Sequence, residues 1–84
     1  MTKEERIREL YDKARSNPAS LKFREVCRLA VGVGFRLDRV RASHHIFLHP
    51  TLTELLNLQS RGGQAIPYQV RQLVKLIEIH GLLR

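Results

Sequence analysis

At Phe35 the spacing of apolar residues changes, and that change limits what the chain can fold into. Before it, apolar residues recur at three and four: Ile7, Leu10, Tyr11 and Ala14, then Phe23, Val26, Cys27 and Ala30, with Leu29 on the flank. This is the spacing of one helix face. From Phe35 the period is two, Phe35 and Leu37 alternating with Arg36 and Asp38, as in a half-buried strand. After Pro67 the helical spacing returns in Val70, Leu73, Val74 and Ile77. Short connections between the strands favour an antiparallel meander. The expected fold class is therefore α+β, in the order α-α-β-β-β-α. It has a three-stranded antiparallel sheet, helices on one face and the other face open for a ligand or partner.

Local signals set the expected boundaries. Thr2-Lys3-Glu4-Glu5 reads as a capping box, a Thr cap with Glu three residues on. Ser16-Asn17-Pro18 ends that first helix, because Pro disfavours helix in the residue before it. Apart from one stripe the helix is polar, so it is expected on the outside, packed on the second helix through Ile7, Leu10 and Tyr11. Ser20 is the expected cap of the second helix, which Gly32 and Gly34 stop. Gly34 is the better candidate for the left-handed residue. The strands are expected at Phe35 to Asp38, Ser43 to His49 and Leu55 to Gln59, with Arg39 to Ala42 as a turn and Ser60 to Gln64 as a loop. Pro67 suits the first position of the last helix, and Gly81 closes it. Leu52, Leu55, Leu56 and Leu58 read as a core face with a partly exposed edge. Tyr68 reads as a packing residue.

The chain has 84 residues, so one domain spanning 1–84 is expected, with 1–17 as a helical extension and 20–80 as the core. No apolar run approaches the ~20 residues that span a bilayer. Met1 to Asp12 is charged and has no apolar signal core. The lone Cys27 supports neither an internal disulfide nor a Cys-based zinc site, and reads as a small core residue. A reducing cytoplasm fits these features best. Fifteen Lys and Arg against eight Asp and Glu leave a net charge of +7, which points to a polyanion. Eleven of the cations are Arg, whose planar fork suits phosphate and stacks on bases. The excess is densest at 21–49, where six basic and two acidic residues give +4.

His44, His45 and His49 lie within six residues, and three readings compete. Along a strand, His45 and His49 would share a face at roughly 13 Å and His44 would point the other way, so the set does not suit one metal ion. A neutral imidazole can instead take the proton of a ribose 2′-hydroxyl, while nearby Arg stabilises charge on phosphorus. The third reading is a surface His that only touches phosphate, or a buried His with a backbone partner. Spacing alone leaves all three open.

Three segments together carry a resemblance: Gly34-Phe35, Arg41-Ala42-Ser43-His44-His45-Ile46-Phe47 and Ile66-Pro67-Tyr68-Gln69-Val70-Arg71-Gln72-Leu73. Over about residues 21–80 the chain resembles the HicA (YcfA-like) family of type II toxins. The resemblance implies a fold like the double-stranded-RNA-binding domain, α-β-β-β-α, and mRNA cleavage neutralised by a HicB-type antitoxin. The family's catalytic His falls on His44, with Ser43 and His45 as possible helpers and no cofactor. Its Gly-Ser-His glycine falls on Ala42, a departure, because Gly there supplies a backbone angle that Ala resists. An altered turn and reduced activity are the expected consequences.

Two functions of different class follow. The first is a metal-independent endoribonuclease, a toxin acting on mRNA. His44 does acid–base work, and Lys22, Arg36, Arg39, Arg41 and Arg71 are the candidate RNA contacts. The second is a catalytically inactive RNA-binding module of the same fold, recognising RNA through backbone and 2′-hydroxyl contacts. The oligomeric state is open on either reading.

Overall fold

The structure, a computed structural model, describes residues 1–83. It is α+β. Three α-helices, α1 (Lys3–Ser16), α2 (Phe23–Gly32) and α3 (Pro67–His80), accompany a four-stranded antiparallel sheet among these residues. The strands are β1 (Arg36–Arg41), β2 (His44–Leu48), β3 (Leu56–Arg61) and β4 (Gln64–Ala65), in the spatial order β1-β2-β3-β4. No described helix is long and apolar enough to cross a membrane.

The helices cover one face. Phe47, Leu56 and Leu58 point into the core, where they meet Val26, Leu29 and Ala30 of α2 and Val70, Leu73 and Ile77 of α3. The opposite face carries His44, Ile46 and Leu48 of β2 with Asn57 and Gln59 of β3, all exposed or half-buried. At the ends of α3, Pro67 takes the first turn and Gly81 the left-handed cap, with φ +59°.

α1 is not an outer appendage. Its capping box forms as expected, with the Thr2 amide donating to Glu5 Oε1 at 2.8 Å and the Glu5 amide to Thr2 Oγ1 at 3.1 Å. Its stripe, however, is inside: Leu10 and Ala14 are fully buried and Ile7 nearly so. It reaches both neighbours. Ile7 lies so close to Gly32 that a Cβ there would come within 2.3 Å of it, and the Tyr11 hydroxyl donates to Glu78 on α3 at 2.7 Å. A small domain buries little surface, so one stripe on a polar helix is a large share of its core.

α2 starts later than Ser20. Pro18–Ser20 form a 3-10 turn, Ser20 Oγ donates to the Asn17 carbonyl, and Leu21 is buried. The cap is Lys22, whose amide donates to Glu25 Oε1 at 2.9 Å. Leu29 is central to the buried stripe, while Phe23 and Cys27 are only half-buried. Gly34, at φ +106°, ends the segment in the left-handed region.

The sheet departs from expectation at both edges. β1 runs on to Arg41, and the turn is only Ala42-Ser43, with Arg41 opposite His44. The register shifts between Leu37 and Arg39, which makes Asp38 the extra residue of a β-bulge. The bulge breaks the period of two, so alternation past Asp38 could not be read. At the other edge, the expected loop at Ser60 to Gln64 is a hairpin. Gly62 and Gly63, both at positive φ, connect β3 to the two-residue β4, which suits a type I′ turn. The far side of β4 is tied to the α2 entry: the Ala65 amide donates to Leu21 O at 3.0 Å and the Phe23 amide to Gly63 O at 2.9 Å.

Glu25 joins α1 to α2. It holds the Lys22 amide, Lys13 Nζ at 3.2 Å and Arg6 at 3.8 Å. The Lys22 amide bond, then these cations, hold its carboxyl below the ordinary 4.5. A carboxyl lowered by folding contributes stability above its unfolded value and loses it as pH falls through the folded one. Glu25→Gln is therefore expected to lower Tm near neutral pH and to flatten the fall in Tm below about pH 4.5. Thermal melts across that range check it; an unchanged acid limb would show that Glu25 is not linked to folding.

Candidate nucleic-acid interface and its histidine

Three histidines on one strand segment have three fates. His49 is bolted into the frame. Its Nε2–H donates to the Val33 carbonyl at 3.0 Å, its Nδ1 accepts from the Thr51 amide at 3.2 Å, and its ring stands edge-on to Phe35 at 5.1 Å. It also fills the space that a side chain on Gly34 would need, with Nε2 2.6 Å from such a Cβ. His45 faces the helices too, edge-on to Phe23 at 4.9 Å, with Nδ1 on the Ser43 carbonyl at 3.2 Å. His44 is on the free face, exposed, with Nδ1 3.1 Å from Asn57 Oδ1. His45 and His44 lie on opposite faces of one strand, so the fold does not bring them together. Among the described residues no three His, Cys, Asp or Glu converge.

The ring nitrogens of His44 are assigned by a chain of amides anchored in the backbone. Gln69, the buried polar residue of α3, reaches the β3 edge, where its Oε1 accepts the Gln59 amide at 2.8 Å. A backbone N–H can only donate, so the Gln69 oxygen must face it. Gln69 Nε2 then donates to Gln59 Oε1 at 2.7 Å, and Asn57 Nδ2 donates to the same oxygen at 3.2 Å. That leaves Asn57 Oδ1 facing His44, so His44 carries a proton on Nδ1. When the ring is neutral, its lone pair is on Nε2, the nitrogen free to take a proton.

The arginines divide by face. Directly opposed residues of an antiparallel ladder share a face. Arg41 opposes His44, Arg39 opposes Ile46 and Arg36 opposes Leu48, so all three stand on the His44 face. Asp38 holds Arg39 through a 2.5 Å ion pair. Lys22 and Arg71 are elsewhere. Lys22 lies beyond β4, at the edge remote from β1, where it bridges to Gln64. Arg71 lies on α3 beside Tyr68, Glu54 and Lys75. Tyr68 is 66% exposed and does not pack as expected. Arg61 was not among the expected contacts, yet the period of two from Asn57 through Gln59 puts it on the His44 face.

A groove of about 470 Å³ between α1 and α2 is lined by Arg6, Ile7, Cys27 and Arg28 among others. It offers no nucleophile: burial pushes the Cys27 thiol up to about 11, so the thiolate is scarce near neutral pH.

The turn before His44 is a two-residue hairpin turn with Ala42 at its first position. Ala42 takes φ +53°, the left-handed region that a two-residue hairpin asks of its first turn residue and that Gly usually fills. The cost is strain. Matched against protein-family models, characterised proteins and solved structures, the chain finds no counterpart.

Two outcomes are expected. Ala42→Gly relieves the strain and raises stability by about 1 kcal/mol, a Tm gain of ~4–8 °C for a domain of this size; a lower Tm would place the strain elsewhere. Gln69→Leu strands the Gln59 amide at a cost of about 1–3 kcal/mol and frees the amide chain. Long-range ¹H–¹⁵N spectra of the His44 ring should show Nδ1 protonated in the parent and a mixed tautomer in the variant. A parent ring already mixed would refute the assignment.

Proposed function

We propose that the chain is a metal-independent endoribonuclease that cuts mRNA in the cytoplasm, the toxin of a toxin–antitoxin pair whose HicB-type antitoxin covers the same face. The observation that carries this reading is the position of His44. It is the strand histidine whose ring stands on the open sheet face, with Nε2 unengaged among the described residues and Arg41 directly opposite. The motifs at Gly34-Phe35, Ala42-Ser43-His44 and Ile66-Pro67 support the same reading, and an α+β fold with an antiparallel sheet is compatible with it.

The chemistry asks little more. Nε2 of neutral His44 takes the 2′-hydroxyl proton, and the 2′-oxygen attacks the neighbouring phosphorus. The P–O5′ bond breaks, leaving a 2′,3′-cyclic phosphate and a 5′-hydroxyl that takes its proton from water. The Arg41 guanidinium, which cannot donate its charge away, meets the extra negative charge on the phosphoryl oxygens. An acidic antitoxin would be steered to this face by charge.

One observation favours the second reading, an RNA-binding module without activity. His44 has neutral amides beside it, Asn57 bonded to it and Gln59 opposite, and no second acid–base side chain is bonded to it among the described residues.

Incubation of RNA with the purified chain and with His44→Ala, in the presence of a chelator, separates the two. The nuclease reading expects cyclic-phosphate ends from the parent and a rate about 10²–10⁴-fold lower from the variant. Intact RNA in both samples, with binding retained, would leave the binding module.

A further inference from the structure

Ladder rows on the free face are two residues apart, ~6.6 Å, and four successive rows each carry an arginine. The first row is Arg36 opposite Leu48, and the second is Arg39 opposite Ile46, which in turn opposes Asn57. The third is Arg41 opposite His44 and Gln59. The fourth is Arg61, two residues beyond Gln59 on β3, where β2 has already turned. The line starts on the edge strand β1 and crosses past His44 to β3.

The bulge makes this line. In a regular strand Arg36 and Arg39, three apart, would point to opposite faces. The extra residue at Asp38 restores them to one face, because Leu37 opposes Phe47 on the core side and Arg39 opposes Ile46 on the free side. Bulges of this kind re-aim side chains next to functional sites. Arg36, Arg41 and Arg61 have no ion-pair partner among the described residues, and Arg39 has only the bulge carboxylate.

We infer that these four arginines form a track for the sugar–phosphate backbone of one single strand, with the phosphate of the third row presented to His44. This rests on the nucleic-acid reading of the face and adds its path, its register and Arg61, while excluding Lys22 and Arg71. A positively charged groove that follows the backbone is the common way to hold a single strand. Beside the first two arginines the ladder partners are apolar, Leu48 being exposed and Ile46 half-buried. A groove of about 390 Å³ opens at the end of the ladder by the first row, lined by Arg36, Leu37, Asp38, Leu48, His49 and Pro50. Unpaired bases can lie on such a surface, whereas a duplex keeps its bases stacked inside. Two phosphates therefore sit on one side of the reacting step and one on the other.

The test uses the full chain and a labelled oligodeoxythymidine strand, which lacks the 2′-hydroxyl and so cannot be cut, with anisotropy titrations across a range of potassium chloride. Each phosphate contact to a single strand contributes about 0.7 to the slope of log K on log salt. Arg36→Ala, Arg39→Ala, Arg41→Ala and Arg61→Ala are each expected to reduce the slope by about 0.7. Lys22→Ala and Arg71→Ala are expected to leave it unchanged. The paired change Arg36→Leu with Leu37→Arg keeps the net charge but moves the cation to the core side, so it should match Arg36→Ala; circular dichroism confirms that it folds. A duplex of the same length should bind more weakly. The track is overturned if the strand does not bind at the lowest salt, if Arg36 or Arg61 can be removed without effect, or if Lys22 and Arg71 count equally. It is overturned too if the paired change keeps the parent slope, or if duplex binds as well. The expected slopes with RNA left uncut would support the track and end only the nuclease reading.

Discussion

Burying Phe47 puts His44 in solvent. A strand alternates its side chains, so once Phe47 enters the core beside Leu56 and Leu58, positions 45 and 49 follow it inward and 44, 46 and 48 point out. A slip of one residue would drive His44 into the apolar layer and expose Phe47, which the burial of a large aromatic side chain disfavours by about 1.5–3 kcal/mol. The register is held at both ends of β2: by the two-residue turn at Ala42-Ser43, and by His49 clamped between the Val33 carbonyl and the Thr51 amide. The position of the candidate catalytic group thus follows from hydrophobic burial at its neighbours.

Much of this could be read from residues. The capping box at Thr2, the change of period at Phe35, the stripe of α3 and the division of the histidines between faces are local patterns, and local patterns survive folding. What could not be read depends on contacts between distant segments. The polarity of α1 hides the fact that Leu10 and Ala14 complete the core, because only the presence of α2 and α3 decides what their stripe meets. Gln69 reads as one more polar helix residue. It is buried because the β3 edge offers the Gln59 amide, which no nearby strand satisfies. The bulge at Asp38 leaves no signature in composition, and it mixes Leu37 and Val40, three apart, onto one face. β4 and Arg61 had signals that went unused: Gly-Gly between a strand and two further residues is a hairpin pattern, and the period of two from Asn57 reaches Arg61.

The free face also carries costs that a purely structural sheet would avoid. Leu37 and Val40 on the edge strand are each half exposed. Arginines gathered on one face repel one another, and Ala42 holds a strained angle next to the site. An exposed edge strand invites pairing with other chains, and charge with a bulge is the common defence. Here the same two devices are present in β1. Protection of the edge and assembly of a cationic line are therefore one structural solution, and neither requires the other to be its purpose.

What separates His44 from its neighbours is how the nitrogens are used. In His49 both are engaged within the frame, Nε2 with the Val33 carbonyl and Nδ1 with the Thr51 amide and hydroxyl. In His45 one nitrogen is committed and the ring faces Phe23, away from any substrate on the open face. In His44 one nitrogen is committed and the other has no partner among the described residues, and the commitment is to an amide oxygen whose orientation is traced back to a backbone N–H on another strand. A neutral amide fixes the tautomer without adding charge, unlike the carboxylate that often stands behind a working histidine. Orientation comes from the amide chain, and on the proposed reading the arginines would compensate phosphate charge. That division places the anchor of the histidine on the α3 side of the sheet and the arginines of the proposed track mainly on the β1 side.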